Sequence, residues 1–125
     1  AAAEEAAARP DVVVCKTLAC VLGEGPGFSR RALCVLPAEA EADLSRVSAA
    51  LGHEAEGLRL ATAEELRLGF RQARGTVGPV GPALTAGATV VLEESLMQAE
   101  VLECGAGAPG WKLCIGPAYL RELSS

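Results

Sequence analysis

Aromatic side chains are scarce in this sequence, whose 125 residues include two Phe, one Trp and one Tyr. The core must therefore be built from Val, Leu and Ala. Base-stacking platforms of the kind that sequence-reading RNA modules use are not expected. Histidine occurs once, as His53 in a Gly-His-Glu turn, where a plain surface residue is the simplest interpretation. A single loop histidine leaves no Ser-His-Asp set for nucleophilic catalysis.

Long apolar runs and metal motifs are missing as well. No run approaches the length of a transmembrane helix, and the Ala-rich start lacks the basic region of a signal peptide. The cysteines include no C-x-x-C pair and lie inside apolar runs, which is typical of small core residues in a reducing compartment. We therefore expect a cytoplasmic protein with no membrane contact, no metal site and no cofactor. The cysteines are Cys15, Cys20, Cys34, Cys104 and Cys114.

Charge and length narrow the class further. The net charge of −5 argues against a general nucleic-acid binder, although a protein that touches only the tip of a nucleic acid escapes this argument. A chain of 125 residues, 50% hydrophobic, fits one domain over residues 1–125. Because the sequence starts with three alanines and no Met, we expect that an N-terminal segment is missing.

The order of predicted elements favours an α+β domain. Two β-prone runs, at residues 12–22 and 30–37, predict a hairpin, and Pro37 is predicted to open a helix with an acidic first turn. Thr62 followed by Glu65 is a capping box that predicts a helix to about residue 71. The predicted helices are interspersed irregularly among the predicted strands. This order indicates a single domain with a curved mixed, mainly antiparallel sheet flanked by helices. Those strands are predicted over 88–92, 101–104 and 111–115, with a last helix from Pro117.

The stretch Gly75 to Pro82 combines three glycines and two prolines in eight residues. Glycine permits close approach and positive φ, whereas proline fixes φ and removes donors. The segment is therefore predicted to be a shaped turn that presents the amides of Thr76, Val77, Gly78 and Val80. Such a nest of amides suits a carbonyl or an oxyanion. An ordinary tight connection between a helix and a strand is the alternative.

Lys16 is the only charge in the first β-prone run. A buried ammonium is costly unless it is paired or its head reaches a cleft. An amine that extends from the edge of the strand into solvent explains the residue equally well.

Gly105 to Gly110 matches G-x-G-x-x-G literally and follows a predicted strand. In a dinucleotide site a helix would come next, because its N-terminus holds the pyrophosphate. Here Pro109 and a strand-like segment come next, so a dinucleotide site is not expected.

Three stretches in this order resemble the YbaK and prolyl-tRNA synthetase-associated editing domain family. They are Lys16-Thr17-Leu18, the G-x-x-x-P element from Gly75 to Pro79, and Glu93-Glu94-Ser95-Leu96, followed by an Ala-Gly stretch before the last strand. The order and spacing agree from about Ala6 to Leu123, and the best part of the match is the sequence GTVGPVG.

The resemblance implies an editing hydrolase that removes alanine or cysteine from mischarged tRNA for proline. Its partners would be the tRNA acceptor end and prolyl-tRNA synthetase, in cis or in trans. The nucleophile would be a water, aided by the ribose hydroxyl of the substrate. Residues carried over as catalytic are Lys16, Gly75, Val77 and Gly78, and those carried over as substrate-binding are Thr76, Pro79, Glu93, Cys104 and Gly105.

Two positions depart from the family pattern and leave specificity open. Glu93 stands where an aspartate is usual, and Cys104 stands where a small polar residue is frequent. The main rival is a non-catalytic tRNA- or synthetase-binding module of the same fold. A third interpretation is a hydrolase of free aminoacyl esters.

Overall fold

In the part of the chain that the structure describes, six strands form one open mixed sheet with helices packed beside it. The computed structural model describes residues 11–22, 30–51, 58–72, 77–79, 88–107 and 110–124, with side chains of the last helix described to residue 121. The strands are β1 (Val12–Leu22), β2 (Arg30–Pro37), β3 (Arg59–Leu60), β4 (Thr89–Leu92), β5 (Val101–Gly105) and β6 (Lys112–Ile115). The α-helices are α1 (Leu44–Ala50), α2 (Ala63–Glu65) and α3 (Pro117–Ser124). A π-helix (Leu66–Phe70) continues α2, and a 3₁₀-helix (Glu94–Gln98) follows β4.

The strand order is β4-β2-β1-β5-β6, and the short β3 also pairs with β1. Neighbours β1 and β2, β1 and β3, and β5 and β6 are antiparallel, whereas β1 pairs with β5 and β2 with β4 in parallel. The mixed, mainly antiparallel sheet of an α+β domain is therefore confirmed.

Strand β1 has a partner on each side and separates two layers of core. Cys15 and Ala19 on one face pack with β4, β5 and the π-helix. Cys20 on the other face packs against α1 through Val47 and Leu51. Burial on both faces holds only toward the C-terminal end, because Val12 and Val14 at the start of the strand are exposed.

Helix α1 begins later than the sequence predicts. Pro37 is the last residue of β2, where it lies opposite Cys15, and does not open a helix. Asp43 is the N-cap instead, and its side chain accepts from the amides of Ser45 and Arg46. The short polar side chain at the cap, rather than the proline, sets the start of this helix.

Four of the five cysteines are buried free thiols, as expected of core residues. Burial raises the pKa of the Cys20 and Cys104 thiols to about 12. Cys114 differs from the prediction, because it lies on the exposed face of β6. No helix in the described part of the chain is long and apolar enough to cross a membrane.

Candidate active site

A cavity of about 570 Å³ opens beside the middle of β1. Toward its start, β1 pairs with β5 over Val12 to Val14, and toward its end it pairs with β3 at Cys20 and Val21. Neither strand pairs with β1 in between, so the sheet has a gap at this point. The described residues that line it are Cys15, Lys16, Thr17, Leu18, Ala19, Leu60, Ala61, Leu66, Val77, Gly105 and Lys112.

Backbone groups of β1 face this gap. The Val14 carbonyl accepts from Ala38 on the β2 side, whereas the Ala19 carbonyl accepts from Ala61 on the β3 side. Backbone groups of alternate residues in a strand point to opposite edges. The N–H and C=O groups of Thr17 therefore point toward the cavity, where a bound ligand can pair with them.

Both lysines of the chain line this cavity, and they are its only charged residues in the part of the chain that the structure describes. Lys16 is half-buried on β1, and Lys112 is exposed on β6, opposite Gly105 of β5. The register of Val14 with Glu103, continued along both strands, brings Lys16 level with Gly105. Two cationic side chains thus flank a residue without a side chain, in a protein of net charge −5.

Thr17, next to Lys16 in the strand, has an unsatisfied hydroxyl. Its side chain is buried, with 8% of the residue exposed, and Oγ1 has no hydrogen-bond partner among the described residues. A buried hydroxyl without a partner costs about 1–3 kcal/mol.

The wall opposite the lysines is apolar and is built by β3 and the π-helix. Leu60, Ala61 and Leu66 lie on it, on either side of the capping box. The Thr62 hydroxyl accepts from the Glu65 amide, and the Glu65 carboxylate accepts from the Thr62 amide at 2.9 Å, which confirms the predicted cap.

Glu65 also binds the Arg59 guanidinium through both carboxylate oxygens, at 2.5 Å and 2.6 Å. This ion pair and the Thr62 amide hold the pKa of the Glu65 carboxyl at about 2, below its ordinary value of 4.5. Because Arg59 belongs to β3, the pair joins the two elements that form the apolar wall.

The glycine-proline segment contributes Val77 to the cavity, next to a tightly held Gly78. The Gly78 N–H donates to Gln72 Oε1 at 2.8 Å, and the Gly78 oxygen accepts from Gln72 Nε2 at 3.1 Å. A Cβ atom on Gly78 would lie 1.7 Å from the carbonyl oxygen of Gly105. Glycine is needed here for close approach rather than for positive φ, because the described glycines with positive φ are Gly107 and Gly110.

Three of the predicted site residues, Lys16, Val77 and Gly105, line one cavity. Gly78 lies behind its wall, and its N–H is not available to an oxyanion in this arrangement because Gln72 already accepts from it. Pro79 is fully buried. Gly75, Thr76 and Val80 lie outside the described residues.

Glu93 and Cys104 are not among the residues that line the cavity. Glu93 follows β4, and strand β2 separates it from β1; its carboxylate accepts from the Ser95 hydroxyl. Cys104 is completely buried in the core with Leu102 and Leu120. Both therefore lie outside the place where the other predicted residues gather.

Sequence reasoning did not single out Lys112 or Gln72, and it named Thr17 only as part of the Lys16-Thr17-Leu18 stretch. Of Lys112 and Gln72, only Lys112 left a signal in the sequence, since it is one of two lysines in the chain. The glycine-rich stretch before it is a hairpin connection, because β6 pairs with β5 antiparallel immediately afterwards. The strand predicted after this stretch is confirmed as β6, where a dinucleotide fingerprint would have a helix.

Sequence and structure comparisons relate the chain to known proteins. The chain matches the aminoacyl-tRNA editing domain family over residues 1–123. It is 26% identical to a candidate trans-editing enzyme for prolyl tRNA synthetase, with a TM-score of 0.72, covering 98% of this chain and 71% of that one. A hypothetical protein, 23% identical with a TM-score of 0.73, shares the fold over 98% of this chain and 75% of that one. No curated protein matched the chain.

Proposed function

This chain belongs to the aminoacyl-tRNA editing domain family, and we propose that it hydrolyses the ester of mischarged tRNA for proline that carries alanine or cysteine. In this proposal its partners are the tRNA acceptor end and prolyl-tRNA synthetase, and it acts in the cytoplasm. The similarity to a candidate trans-editing enzyme for that synthetase supports this choice of tRNA.

The observation that carries the proposal is the pair of lysines, Lys16 and Lys112, in a cavity with one apolar wall. The 3′ end of a tRNA brings phosphates and ribose hydroxyls to the enzyme, and ammonium groups attract and orient both. A small apolar side chain of the substrate fits against Leu60, Ala61 and Val77. The acidic remainder of the chain then limits contact to the tip of the tRNA.

The reaction needs no nucleophilic side chain. A water attacks the ester carbonyl, the bond to the ribose oxygen breaks, and the released ribose oxygen takes a proton as the free amino acid leaves. The carbonyl oxygen gains negative charge in the transition state, where fixed N–H donors and a nearby ammonium stabilise it. The Thr17 amide and the Lys16 ammonium are the groups on this cavity that meet that need.

Selectivity among small side chains depends on the shape of the apolar wall. One methylene in an apolar pocket is worth about 1–3 kcal/mol in discrimination. Alanine and cysteine are both smaller than proline, so a wall fixed close to the carbonyl-binding groups favours them over the cognate amino acid.

Single-turnover deacylation of tRNA for proline charged with alanine, cysteine, serine or proline tests the proposal. Release of alanine or cysteine well above the spontaneous rate is expected, with the proline ester spared. Lys112→Ala should weaken tRNA binding. The affinity of this variant for tRNA should also fall less steeply with added salt than that of the unchanged protein. Binding of tRNA without release of any amino acid would favour the binding module, and hydrolysis of free aminoacyl esters alone would favour a small-molecule hydrolase.

A further inference from the structure

Gln72 holds Gly78 by a pair of hydrogen bonds that resembles one step of a β-ladder. Its amide accepts from the Gly78 N–H at 2.8 Å and donates to the Gly78 oxygen at 3.1 Å. The assignment of the side-chain amide is unambiguous, because a backbone N–H requires an oxygen and a carbonyl requires a donor. Gln72 is buried, with 5% of the residue exposed, so water does not compete for either bond.

The two bonds fix the peptide planes on both sides of Gly78. One plane contains the Val77 carbonyl and the Gly78 N–H, and the other joins Gly78 to Pro79, where the chain has no N–H to offer. With both planes held, the backbone direction at Val77 is set. Val77 is the residue that lines the cavity among the described residues of this segment.

Gly78 also packs against the sheet. The space that its Cβ would occupy is filled by the Gly105 carbonyl, so the segment packs directly on the end of β5. Gly105 lines the cavity between the two lysines. The segment is therefore held from one side by Gln72 and from the other by Gly105.

The helix before Gln72 has an unusual end that presents the side chain inward. The chain leaves the π-helix through Arg71, whose φ is 55°. Among the described residues, Arg71 is the only one other than glycine in the left-handed region. The Gln72 N–H then donates to the Leu66 oxygen at 3.3 Å, and Leu66 itself lines the cavity. The left-handed backbone conformation costs energy in a residue other than glycine, and such strain is concentrated at functional sites.

We propose that Gln72 is a positioning residue for the editing reaction, which sets the distance between the Val77 side of the cavity and the Lys16 side. The inference rests on the proposed function for its effect on catalysis, but its structural part, the hold on Gly78, stands separately. Gln72 is not among the residues that line the cavity, so it acts through the position of Gly78. Its loss should therefore lower the rate of the bound complex more than it weakens binding.

Gln72→Met is the direct test, because methionine keeps the length of the side chain and removes both hydrogen bonds. Gln98→Met, at an exposed glutamine of the 3₁₀-helix, is the matched control. We expect kcat for deacylation to fall about tenfold or more with KM changed less than about twofold. Hydrogen exchange at the Gly78 amide, followed by NMR, should be slow in the unchanged protein and much faster in Gln72→Met.

Gln72→Glu is the second variant and keeps the inference testable if methionine prevents folding. It retains the acceptor for the Gly78 N–H but places a carboxylate oxygen, in place of the donor, against the Gly78 oxygen, so its Gly78 exchange should be faster and its kcat lower than in the unchanged protein. Fast Gly78 exchange in the unchanged protein, or normal kcat in a folded Gln72→Met protein with fast exchange, overturns the inference. If no mischarged tRNA is hydrolysed by the unchanged protein, the proposed function fails, while the exchange data still decide whether Gln72 holds Gly78.

Discussion

Lys16 and Lys112 stand on opposite sides of Gly105 and face one cavity, although they come from the first and the last strand of the chain. Their basic groups are the only charges among the described residues of that cavity. In an acidic protein this arrangement suits a ligand that has an anionic part and a small apolar part. An aminoacyl ester at the end of a tRNA has both properties.

Replacing Lys16 separates a functional charge from a structural one. Because no ion pair joins Lys16 to Glu93 or another carboxylate in the described residues, Lys16→Ala should leave the free energy of unfolding equal or higher. Deacylation should fall by about 100-fold or more if the ammonium stabilises the substrate. Arg67→Ala removes an exposed charge on the π-helix and is the control for general charge effects. A destabilised but fully active Lys16→Ala protein would contradict the mechanism.

Gly78→Ala tests the close packing on Gly105. The added methyl group would lie 1.7 Å from the Gly105 oxygen, so one segment must move away from the other. We expect a loss of about 1–3 kcal/mol in the free energy of unfolding, typical of overpacking, together with slower deacylation. Gly116→Ala is the matched control, since its new methyl group would meet Tyr119 at an ordinary 3.6 Å. Urea unfolding of both variants provides the comparison, and equal stabilities would refute the packing argument.

Thr17→Val tests the role of the unpartnered hydroxyl. Valine keeps the shape of threonine and removes a buried polar group that has no partner in the described part of the chain. The free energy of unfolding should therefore stay the same or rise. If the hydroxyl binds the substrate, kcat/KM should fall by up to about tenfold, the usual value of one neutral hydrogen bond. Thr89→Val on β4, outside this cavity, should change neither quantity much.

The lowered pKa of Glu65 implies that the stability of the protein falls at acid pH. Its carboxyl has a pKa of about 2 in the folded protein because of Arg59 and the Thr62 amide, against an ordinary 4.5. A lowered folded pKa means that the unfolded state binds the proton first, so this stabilisation is complete above pH 4.5 and is lost as the pH falls toward 2.

Urea unfolding of Glu65→Gln at several pH values checks this expectation. The variant should be less stable than the unchanged protein at neutral pH, and the difference should shrink as the pH falls through that window. Glu64→Gln, an exposed neighbour on the same helix, is the control. The contrary result is that the free energies of unfolding of Glu65→Gln and the unchanged protein differ by a constant amount as the pH falls toward 2. That result would show that the ion pair does not act as described.

Thiol titration distinguishes the exposed cysteine from the buried ones. Cys114 should react rapidly in the folded protein, since it is exposed. Cys20 and Cys104 should be inert until unfolding, because burial raises their pKa values to about 12 and keeps reagent away. All five thiols should react in denaturant without reductant. A lower count would reveal a disulfide or a bound metal.

The long strands were predictable because their signal is local. Strands β1 and β2 have the predicted bounds, since continuous runs of Val, Leu and Cys favour buried strands whatever packs on them. The capping box at Thr62 is local too, and the structure shows both of its hydrogen bonds. The helix predicted from Pro37 is wrong, because proline fits the end of a strand as readily as the first turn of a helix.

The site was predictable only where the family resemblance named a residue. Lys16, Val77 and Gly105 lie together, but nothing in the sequence indicates which residue faces them across the gap. Lys112 reaches the cavity through the β5–β6 register, and Gln72 reaches Gly78 through a left-handed turn. Such relationships depend on contacts between distant parts of the chain. Local propensity and periodicity carry no record of them.

The place of the cavity between β3 and β5 along β1 has a consequence for how the protein folds. Strands β1 and β2 follow each other and can form a hairpin early, whereas β5 must return from the far end of the chain to pair with Val12 to Val14. Such long-range parallel pairing is slow, because closing the loop costs entropy before any contact repays it. The cavity therefore comes into existence only at a late step, so recovery of ligand binding during refolding should lag behind the formation of secondary structure.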